Sequence, residues 1–534
     1  MSETTKKQTF LHGAALLALA TAAVKLIGAF YKLPLKMVIG DQGYGYFMTA
    51  YDVYSVLLLI STAGLPVAMS RMISQANALD NHNQVRRVYN TARLIFLGLG
   101  VVSSLIMVLG STWLAQQLEQ PDAAYAIACL GPCTLFMGLI SAYRGFFQGH
   151  GNMRPTSASQ VLEAAVKLLV GLGLAFVLMQ RYRSVPVAAA GAILGVTASC
   201  LVSAIFLYGK FRPTYTQLPA SADAPLSYGT TAKQLLSIAV PITIGSAGLQ
   251  FLTLIEQKLY MGQLLTSCGL SQDVADTMKG IYSMTMTIYN MPCAFIVPIA
   301  ISVIPAITAH LTLKNNRGVR ETEESAARIA GLISLPCGVG LCLLARPIMA
   351  LLGGYTGEKL DLAANLMSIL GVCVCLYAMI QYTNALMQAH GYAHVPVVNM
   401  LLAGTVKLAV VYVLTGNPQL GIMGAPIGAV LGYSAIAAMN LIAISRVVPQ
   451  KPALLTNFLR PALPAAIMGV TVYGVYRLMV QLLTQQGSRV LLCGVPIVAG
   501  VVVYALAVVW CKSITREDCF LLPKGDRLAK MLKL

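Results

Sequence analysis

Runs of about twenty mostly apolar residues recur along the whole chain, and this feature most narrows the folds open to it. A helix of that length crosses the hydrocarbon core of a bilayer. Only 10% of the 534 residues are charged, against roughly 25% in soluble domains. The sequence therefore predicts an all-α integral membrane protein with about fourteen transmembrane helices, at approximately 10–31, 44–70, 88–115, 123–147, 155–180, 185–208, 232–260, 280–311, 325–352, 362–388, 395–415, 420–445, 460–484 and 488–511.

The net charge of +18 follows the predicted topology. Lys and Arg accumulate in cytoplasmic loops of membrane proteins, and here every second connection is rich in them. With the N-terminus inside, the inner segments hold, for example, Arg86, Arg144, Arg154 and a basic C-terminal tail, whereas outer segments hold few, among them Lys32, Lys279 and Arg489. The bias predicts a multi-pass protein of the cytoplasmic membrane with both termini in the cytoplasm, and no nucleic acid partner.

The largest polar stretch, 210–234, is rich in Pro, Ser, Thr and Ala and is typical of a linker. It divides the chain into regions that we expect to be an N-terminal six-helix bundle, a cytoplasmic linker, a second six-helix bundle, and two extra helices with a basic tail. Their predicted limits are 1–208, 209–231, 232–445 and 446–534.

An internal repeat supports this division. Gln148-Gly149-His150-Gly151 in the first half matches Gln388-Ala389-His390-Gly391 in the second, at an offset of 388 − 148 = 240. The same offset takes Lys167 to Lys407. Six spans in each half leave both halves in the same orientation, which predicts two pseudo-symmetric bundles related by an axis along the membrane normal, as in rocking transporters.

Ionisable side chains inside a span are costly unless they face a wet cavity or a partner. Lys25, Lys167 and Lys407 are predicted to face a cavity and bind an anionic, phosphate-bearing substrate. Asp52, Glu163 and Glu256 are candidates for ion coupling or for charge pairing. Because Glu163 and Lys167 are four residues apart on one helix face, they can also pair with each other.

Prolines and glycines mark candidate hinges and turns. Pro34, Pro66 and Pro305 lie in or beside predicted spans, where proline kinks or ends a helix. Gly149 and Gly151 lie in the connection between the fourth and fifth spans. We expect these five residues to bend or join helices during rocking.

The motifs of several enzyme classes are missing from the sequence. It contains no Walker loop, GxSxG or HExxH sequence, so we expect no enzyme and no cofactor. None of the 12 Cys forms a CxxC pair, and His390 and His394 lack a third ligand nearby in the sequence. Cysteine is interpreted as a small apolar residue here, and no metal site is predicted.

The stretch RGFFQGHGNMRPTSASQVLEAAVKL (144–168) resembles the stage V sporulation protein B and YtgP-type flippases of polysaccharide biosynthesis. GYGYFMTAYDVYSVLLLISTAGLPVAMSRMIS (43–74) resembles the second span of the same family. This family belongs to the multidrug/oligosaccharidyl-lipid/polysaccharide exporter superfamily, which includes the MATE and MurJ proteins. The resemblance implies a fourteen-helix flippase of undecaprenyl-pyrophosphate-linked sugars, such as the peptidoglycan precursor lipid II. It also implies that Lys25, three residues before Gly28, lines the cavity.

Three functions stay open at this point. The first is the flippase, acting in cell-wall or polysaccharide biosynthesis, in vegetative cells or in sporulation. The second is a cation-coupled multidrug antiporter of the MATE type, with Asp52, Glu163 and Glu256 as coupling carboxylates. The third is a membrane glycosyltransferase or ligase, which needs a larger outer loop than this chain has. The expected partners are the bilayer, a lipid-linked sugar and cell-wall synthesis proteins, and the expected state is a monomer.

Overall fold

A computed structural model describes residues 3–62, 64–449, 452–482, 488–515 and 518. The side chains of some residues within these ranges lie outside the described set, namely 3–23, 25–26, 29, 61–62, 241–242, 244–246, 248–249, 298–299, 301–302 and 305–306. The described residues form α-helices and two short 3-10 helices, and no strand occurs among them. The predicted all-α fold is confirmed.

The chain divides into two compact units. Unit 1 comprises Met1–Leu265 and Leu270–Gly280, and unit 2 comprises Thr266–Gly269 and Ile281–Leu534. The domain limits expected from the sequence, with the linker at 209–231, stay a prediction. Unit 1 holds α1 (Glu3–Thr62), α2 (Leu65–Ala78), α3 (His82–Leu109), α4 (Ser111–Gln117), α5 (Ala124–Gly149), α6 (Arg154–Tyr182), α7 (Val185–Thr216), nearly all of α8 (Tyr228–Thr266) and the first residues of α9 (Gln272–Thr312).

Unit 2 holds the rest of α9 and the helices that follow it. These are α10 (Asn316–Leu343), α11 (Ala345–Leu351), α12 (Gly357–Ala389), α13 (His394–Thr415), α14 (Gly424–Val447), α15 (Leu454–Leu459), α16 (Ala462–Leu482) and α17 (Arg489–Trp510). The two 3-10 helices are Pro121–Ala123 in unit 1 and Gly421–Met423 in unit 2.

Eleven helical segments among the described residues are long and apolar enough to cross a membrane. They coincide with eleven of the fourteen predicted spans. The other three predicted spans, 10–31, 232–260 and 280–311, fall on α1, α8 and α9, where part of the side chains lies outside the described set. The count of fourteen therefore stays a prediction.

Helix α1 contains two predicted spans and is broken at Gly40. Sixty continuous helical residues would extend about 90 Å, about three times the hydrocarbon thickness. Gly40 has φ 71° and ψ −175°, a backbone conformation that glycine adopts without the steric cost borne by other residues. The break separates the helix that carries Tyr31 from the helix that carries Asp52.

The repeated turn has the same local geometry in both halves. Helix α5 ends at Gly149 and α12 ends at Ala389, and in each case the glycine two residues later has positive φ, 71° at Gly151 and 85° at Gly391. The next helices begin at Arg154 and His394, again 394 − 154 = 240 residues apart. The sequence match therefore corresponds to a repeated structural joint.

Residues 217–227, which we call the linker strap, are attached to the start of α3. The carboxylate of Asp223 accepts hydrogen bonds from the backbone N–H groups of Asn83 (3.0 Å) and Gln84 (2.8 Å). These N–H groups are in the first turn of α3, where no intrahelical acceptor exists. Asp223 thus caps the helix from a distant part of the chain. Arg86 adds a bond of 2.8 Å to the carbonyl of Leu218.

In unit 2 Asp518 forms a buried ion pair with α10. Arg328 Nη2 lies 2.9 Å from Asp518 Oδ1, and the two side chains are 7% and 0% exposed. Arg328 also donates to Asn457 Oδ1 at 2.7 Å, which adds α15 to the cluster. A buried charge requires such partners, so this cluster fixes α15 and Asp518 on α10.

Candidate functional site

A buried lysine–aspartate pair forms the centre of the candidate site in unit 1. Lys279 Nζ, on α9, lies 3.4 Å from Asp52 Oδ2 on α1, with side-chain exposures of 5% and 18%. Lys279 also donates to Gln257 Oε1 on α8 at 3.0 Å. Three helices thus supply side chains to one charged cluster, where each charge compensates the desolvation of the other.

A chain of hydrogen bonds continues from this pair. Gln257 Nε2 donates to Thr49 Oγ1 at 2.8 Å, and Thr49 bonds to Gln120 Oε1. Gln120 Nε2 then donates to Asp276 Oδ1 at 2.9 Å. Each member is buried, so two carboxylates, Asp52 and Asp276, are linked through polar side chains in a region that is otherwise apolar.

Asp276 is the second acidic end of this network. Tyr46 donates its hydroxyl to Asp276 Oδ2 at 2.9 Å, and Gln272 Nε2 donates to Asp276 Oδ1 at 3.0 Å. The Tyr46 hydroxyl also lies 3.3 Å from Asp122 Oδ2, and Asp122 is exposed. The network therefore extends from the buried Lys279 to an exposed carboxylate, a path along which a proton or a cation can find polar partners.

Close packing of α1 against α9 places these side chains. A Cβ added at Gly280 would overlap the carbonyl oxygen of Asp41, and one at Gly45 would lie 3.2 Å from the carbonyl oxygen of Asp276. Small residues let helix backbones approach in membranes. On α1, Tyr46 and Thr49 are three residues apart and share a helix face, so both can face α9.

Two of the predicted carboxylates lie in or beside this cluster. Asp52 is its centre. Glu256 is buried on α8, next to Gln257 in sequence, and it interacts electrostatically with Asp52 and Lys279. Lys258 instead is exposed and donates to Gln117 Oε1 at 2.8 Å.

Glu163 has a different role from the pairing that its spacing indicates. Its Oε2 lies 3.1 Å from Arg144 Nη2, whereas the expected partner was Lys167. Arg144 reaches across from α5, and it also donates to Ser159 Oγ on α6 at 3.1 Å. The Glu163 carboxylate therefore pairs with the Arg144 guanidinium on the adjacent helix, and not with the residue one turn further along α6.

Of the three predicted substrate-binding lysines, Lys167 lies in unit 1 and Lys407 lies in unit 2. Lys167 Nζ lies 5.9 Å from the ring centroid of Tyr31 in unit 1, and Lys407 Nζ lies 5.8 Å from that of Tyr433 in unit 2.

Lys167 also interacts electrostatically with Lys32, which in turn interacts with Asp52. The side chain of Lys25 lies outside the described residues. The assignment of Lys25, Lys167 and Lys407 as substrate ligands stays a prediction.

The predicted hinge and turn residues have distinct local positions. Pro34 lies inside α1 and Pro66 lies in the first turn of α2. Gly149 ends α5 against α2, since a Cβ there would lie 2.7 Å from Ile73 Cβ. Pro305 lies within α9, and its side chain is outside the described residues. Hinge motion at these residues stays a prediction.

The sequence analysis missed Lys279, Asp276 and Gln257. Lys279 was assigned to an outer connection because the eighth span was set to begin at residue 280. In the structure α9 begins at Gln272, so Lys279 and Asp276 are helical, three residues apart on one face. The helix continues upstream of residue 280. Its polar residues there lower the mean hydropathy, and the predicted limits of a span depend on that hydropathy.

Comparison with solved structures identifies the fold. A multidrug resistance MATE family transporter in an inward-facing conformation matches 80% of this chain and 99% of its own, with TM-score 0.66 and 18% identity. The lipid II flippase MurJ in an inward closed conformation matches 93% of this chain and 99% of its own, with TM-score 0.65 and 13% identity. The fold is therefore that of the MATE and MurJ proteins, and its division into two six-helix bundles and two extra helices stays a prediction.

The chain belongs to the polysaccharide biosynthesis protein family, whose match covers residues 10–310, more than half of its length. The MatE family matches residues 276–413.

Stage V sporulation protein B of Bacillus subtilis (strain 168) is 26% identical over 83% of this chain and 85% of its own length. Lipid II flippase MurJ of the same organism is 24% identical over 82% of both chains. The chain is therefore a multi-pass membrane transporter or flippase of the multidrug/oligosaccharidyl-lipid/polysaccharide exporter superfamily, and not an enzyme.

Proposed function

We propose that this protein is a flippase for undecaprenyl-pyrophosphate-linked oligosaccharides, with the peptidoglycan precursor lipid II as its first candidate substrate. It would move the substrate from the cytoplasmic to the outer leaflet by alternating access. The observation that carries the proposal is the buried Lys279–Asp52 pair in unit 1, with Lys32 and Lys167 in electrostatic contact with this region. The similarity to the Bacillus subtilis lipid II flippase MurJ supports the choice of substrate class.

The Lys279–Asp52 pair suits a transport cycle because a substrate anion can replace Asp52 as the partner of Lys279. An ammonium group binds phosphoryl oxygens with strong, charge-assisted hydrogen bonds. When a pyrophosphate reaches Lys279, it takes the place of the Asp52 carboxylate. Asp52 is then left as a largely buried charge, which costs several kcal/mol, unless it binds a proton or a cation. Substrate binding and ion uptake are coupled in this way. Lys25, Lys167 and Lys407 are proposed to hold the pyrophosphate at further stages.

The test is complementation in cells depleted of their own lipid II flippase. Expression of the wild-type chain should restore growth, and Lys279→Ala, Lys25→Ala and Lys407→Ala should each abolish the rescue. Lys258→Ala is the matched control, because Lys258 is an exposed lysine on α8, and it should rescue as the wild type does. Lack of rescue by a wild-type chain that is inserted in the membrane would exclude lipid II as substrate. Unimpaired rescue by Lys279→Ala would exclude the exchange step.

A cation-coupled multidrug antiporter is the second candidate. It is favoured by Asp276, a buried carboxylate that accepts hydrogen bonds from Tyr46, Gln120 and Gln272 and suits cyclic proton binding. Dye efflux driven by a proton or sodium gradient in membrane vesicles distinguishes the two functions. Efflux that Asp276→Asn abolishes, together with failed flippase complementation, would favour the antiporter.

A further inference from the structure

Unit 2 contains a pocket with two arginines at one end of its last two helices. The cavity measures about 260 Å³ and lies where α11 and the start of α12 meet the end of α16 and the start of α17. We call it the arginine pocket; it is lined by Arg346, Pro347, Ala350, Leu360, Tyr476, Arg489 and Leu492. Apolar side chains form its floor, while Arg346 and Arg489 are exposed.

The lining carries two positive charges, and an ion pair compensates one of them. Arg346 Nη1 pairs with Asp361 Oδ1 at 2.5 Å. Arg489 Nη1 donates only a long bond of 3.4 Å to the carbonyl oxygen of Ala350, and no carboxylate of the described residues forms an ion pair with it. The pocket therefore presents a guanidinium whose charge is not compensated by the part of the chain that the structure describes.

The pocket lies at the level of a membrane surface. Helix α17 has 22 residues, so it extends about 33 Å and spans a hydrocarbon core of about 30 Å. Arg489 at its start and Trp510 at its end then lie at opposite interfaces, where Arg and Trp side chains can anchor a helix. Between them α17 exposes Val498, Val501 and Leu506 at 64%, 64% and 66%, which is consistent with contact with acyl chains.

We propose that the arginine pocket binds the headgroup of an anionic glycerophospholipid of the phosphatidylglycerol type. A phosphodiester carries one negative charge, which matches the single surplus positive charge, and guanidinium groups bind phosphoryl oxygens bidentately. Tyr476 adds a hydroxyl donor. The acyl chains of such a lipid would lie against the exposed apolar face of α17. A zwitterionic headgroup would bring its own cation close to the arginines.

Native mass spectrometry of the purified full-length protein tests the proposal. The protein is titrated with phosphatidylglycerol or with phosphatidylcholine, and the fraction of protein that retains bound lipid is measured. The wild type is compared with Arg489→Gln and with the double variant Arg346→Gln/Arg489→Gln. Arg489→Gln keeps the Arg346–Asp361 pair and should fold normally, which thermal unfolding checks. It should lower the phosphatidylglycerol affinity about fivefold, since one basic residue near an anionic membrane surface contributes roughly 1 kcal/mol. Phosphatidylcholine retention should not change.

The matched control is Arg181→Gln/Arg183→Gln, which removes two exposed arginines at the end of α6 and should leave phosphatidylglycerol retention unchanged. Equal retention of both lipids by the wild type, or unchanged retention in Arg489→Gln, would overturn the proposal. Displacement of phosphatidylglycerol by millimolar inorganic phosphate would identify a free-phosphate site instead. A selective loss of undecaprenyl pyrophosphate retention in Arg489→Gln would assign the pocket to the transported lipid and also overturn it.

Discussion

Lys279 and Asp52 are 227 residues apart in the sequence, yet their charged groups lie 3.4 Å from each other in the interior of unit 1. The pair connects α9 to α1, and Gln257 adds α8. An internal charge is tolerated only where a partner or water compensates it. The pair is therefore both a structural contact and, in the proposed function, the place where a substrate anion exchanges with a protein carboxylate.

Removal of one charge of this pair should destabilise the protein more than removal of both. Lys279→Met leaves Asp52 as a largely buried carboxylate without its ion-pair partner, which should cost about 3–5 kcal/mol. The double variant Asp52→Leu/Lys279→Met removes both charges and should recover most of the loss. Thermal unfolding in detergent measures both. A Lys279→Met protein as stable as the wild type would contradict the burial of this pair, and neither variant should transport.

A methyl group at Gly280 should separate α1 from α9. In Gly280→Ala the new Cβ would overlap the carbonyl oxygen of Asp41, so we expect a loss of about 1–3 kcal/mol from overpacking and reduced complementation. Gly262→Ala is the control on α8, because no atom lies within 4 Å of an added Cβ there. Since Ala favours helix over Gly by about 1 kcal/mol, the control should be as stable as the wild type or more stable. Equal unfolding temperatures for the two variants would contradict the close contact.

The repeat turns should differ in their dependence on histidine. His390 Nε2 lies 2.6 Å from Glu323 Oε1, and their side chains are 7% and 0% exposed. His390→Ala should therefore cost about 3 kcal/mol or more, because it leaves a buried carboxylate without this partner. His150, the repeat equivalent, donates one bond of 2.9 Å from Nδ1 to the carbonyl oxygen of Phe146.

His150 Nε2 has no hydrogen-bond partner among the described residues, so His150→Ala should cost only about 1 kcal/mol. Burial lowers the pKa of His150. The bond to the Phe146 carbonyl acts to raise this pKa, and the nearby His82 acts to lower it, so that the pKa is below its ordinary value. Thermal unfolding near neutral pH compares the losses of stability in His390→Ala and His150→Ala. A larger effect at His150 than at His390 would show that the turns are not stabilised in the way described.

The linker strap should detach from α3 in acid. Partial desolvation acts to raise the pKa of Asp223, but the hydrogen bonds from Ser221, Asn83 and Gln84 outweigh it, so the pKa is below its ordinary value of 3.8. A lowered carboxyl pKa means that this stabilisation is complete above about pH 4 and is lost as the pH falls through the pKa of the folded state.

Hydrogen exchange of the Asn83 and Gln84 amides measures this contact. Exchange in Asp223→Asn should be several-fold faster than in the wild type at pH 6. The two exchange rates should converge as the pH falls through the lowered pKa of Asp223, and comparison at each pH removes the intrinsic exchange rate. Asp122→Asn, at a carboxylate away from the strap, should match the wild type in these amides. Identical exchange in wild type and Asp223→Asn at pH 6 would show that the carboxylate does not hold the strap.

Local features of the site were readable from the sequence to different degrees. Asp52 and Glu256 stand out as ionisable residues in apolar runs, and both are in or beside the buried cluster. Glu163 stands out equally, but its partner is Arg144 on another helix, which helical spacing within α6 does not reveal. Lys279 and Asp276 were hidden because a hydropathy window ends where polar residues begin, although α9 continues through them.

The length of the apolar runs, the low charge and the 240-residue offset are properties of the chain alone, and they are enough to predict an all-helical membrane protein with an internal repeat. Which charges meet depends instead on the tertiary structure. The pairs Lys279–Asp52, Arg144–Glu163 and His390–Glu323 each join different helices. Helix periodicity predicts which residues share a face of one helix. The choice of partner depends on how closely two helices approach, and that distance depends on side-chain packing along both of them.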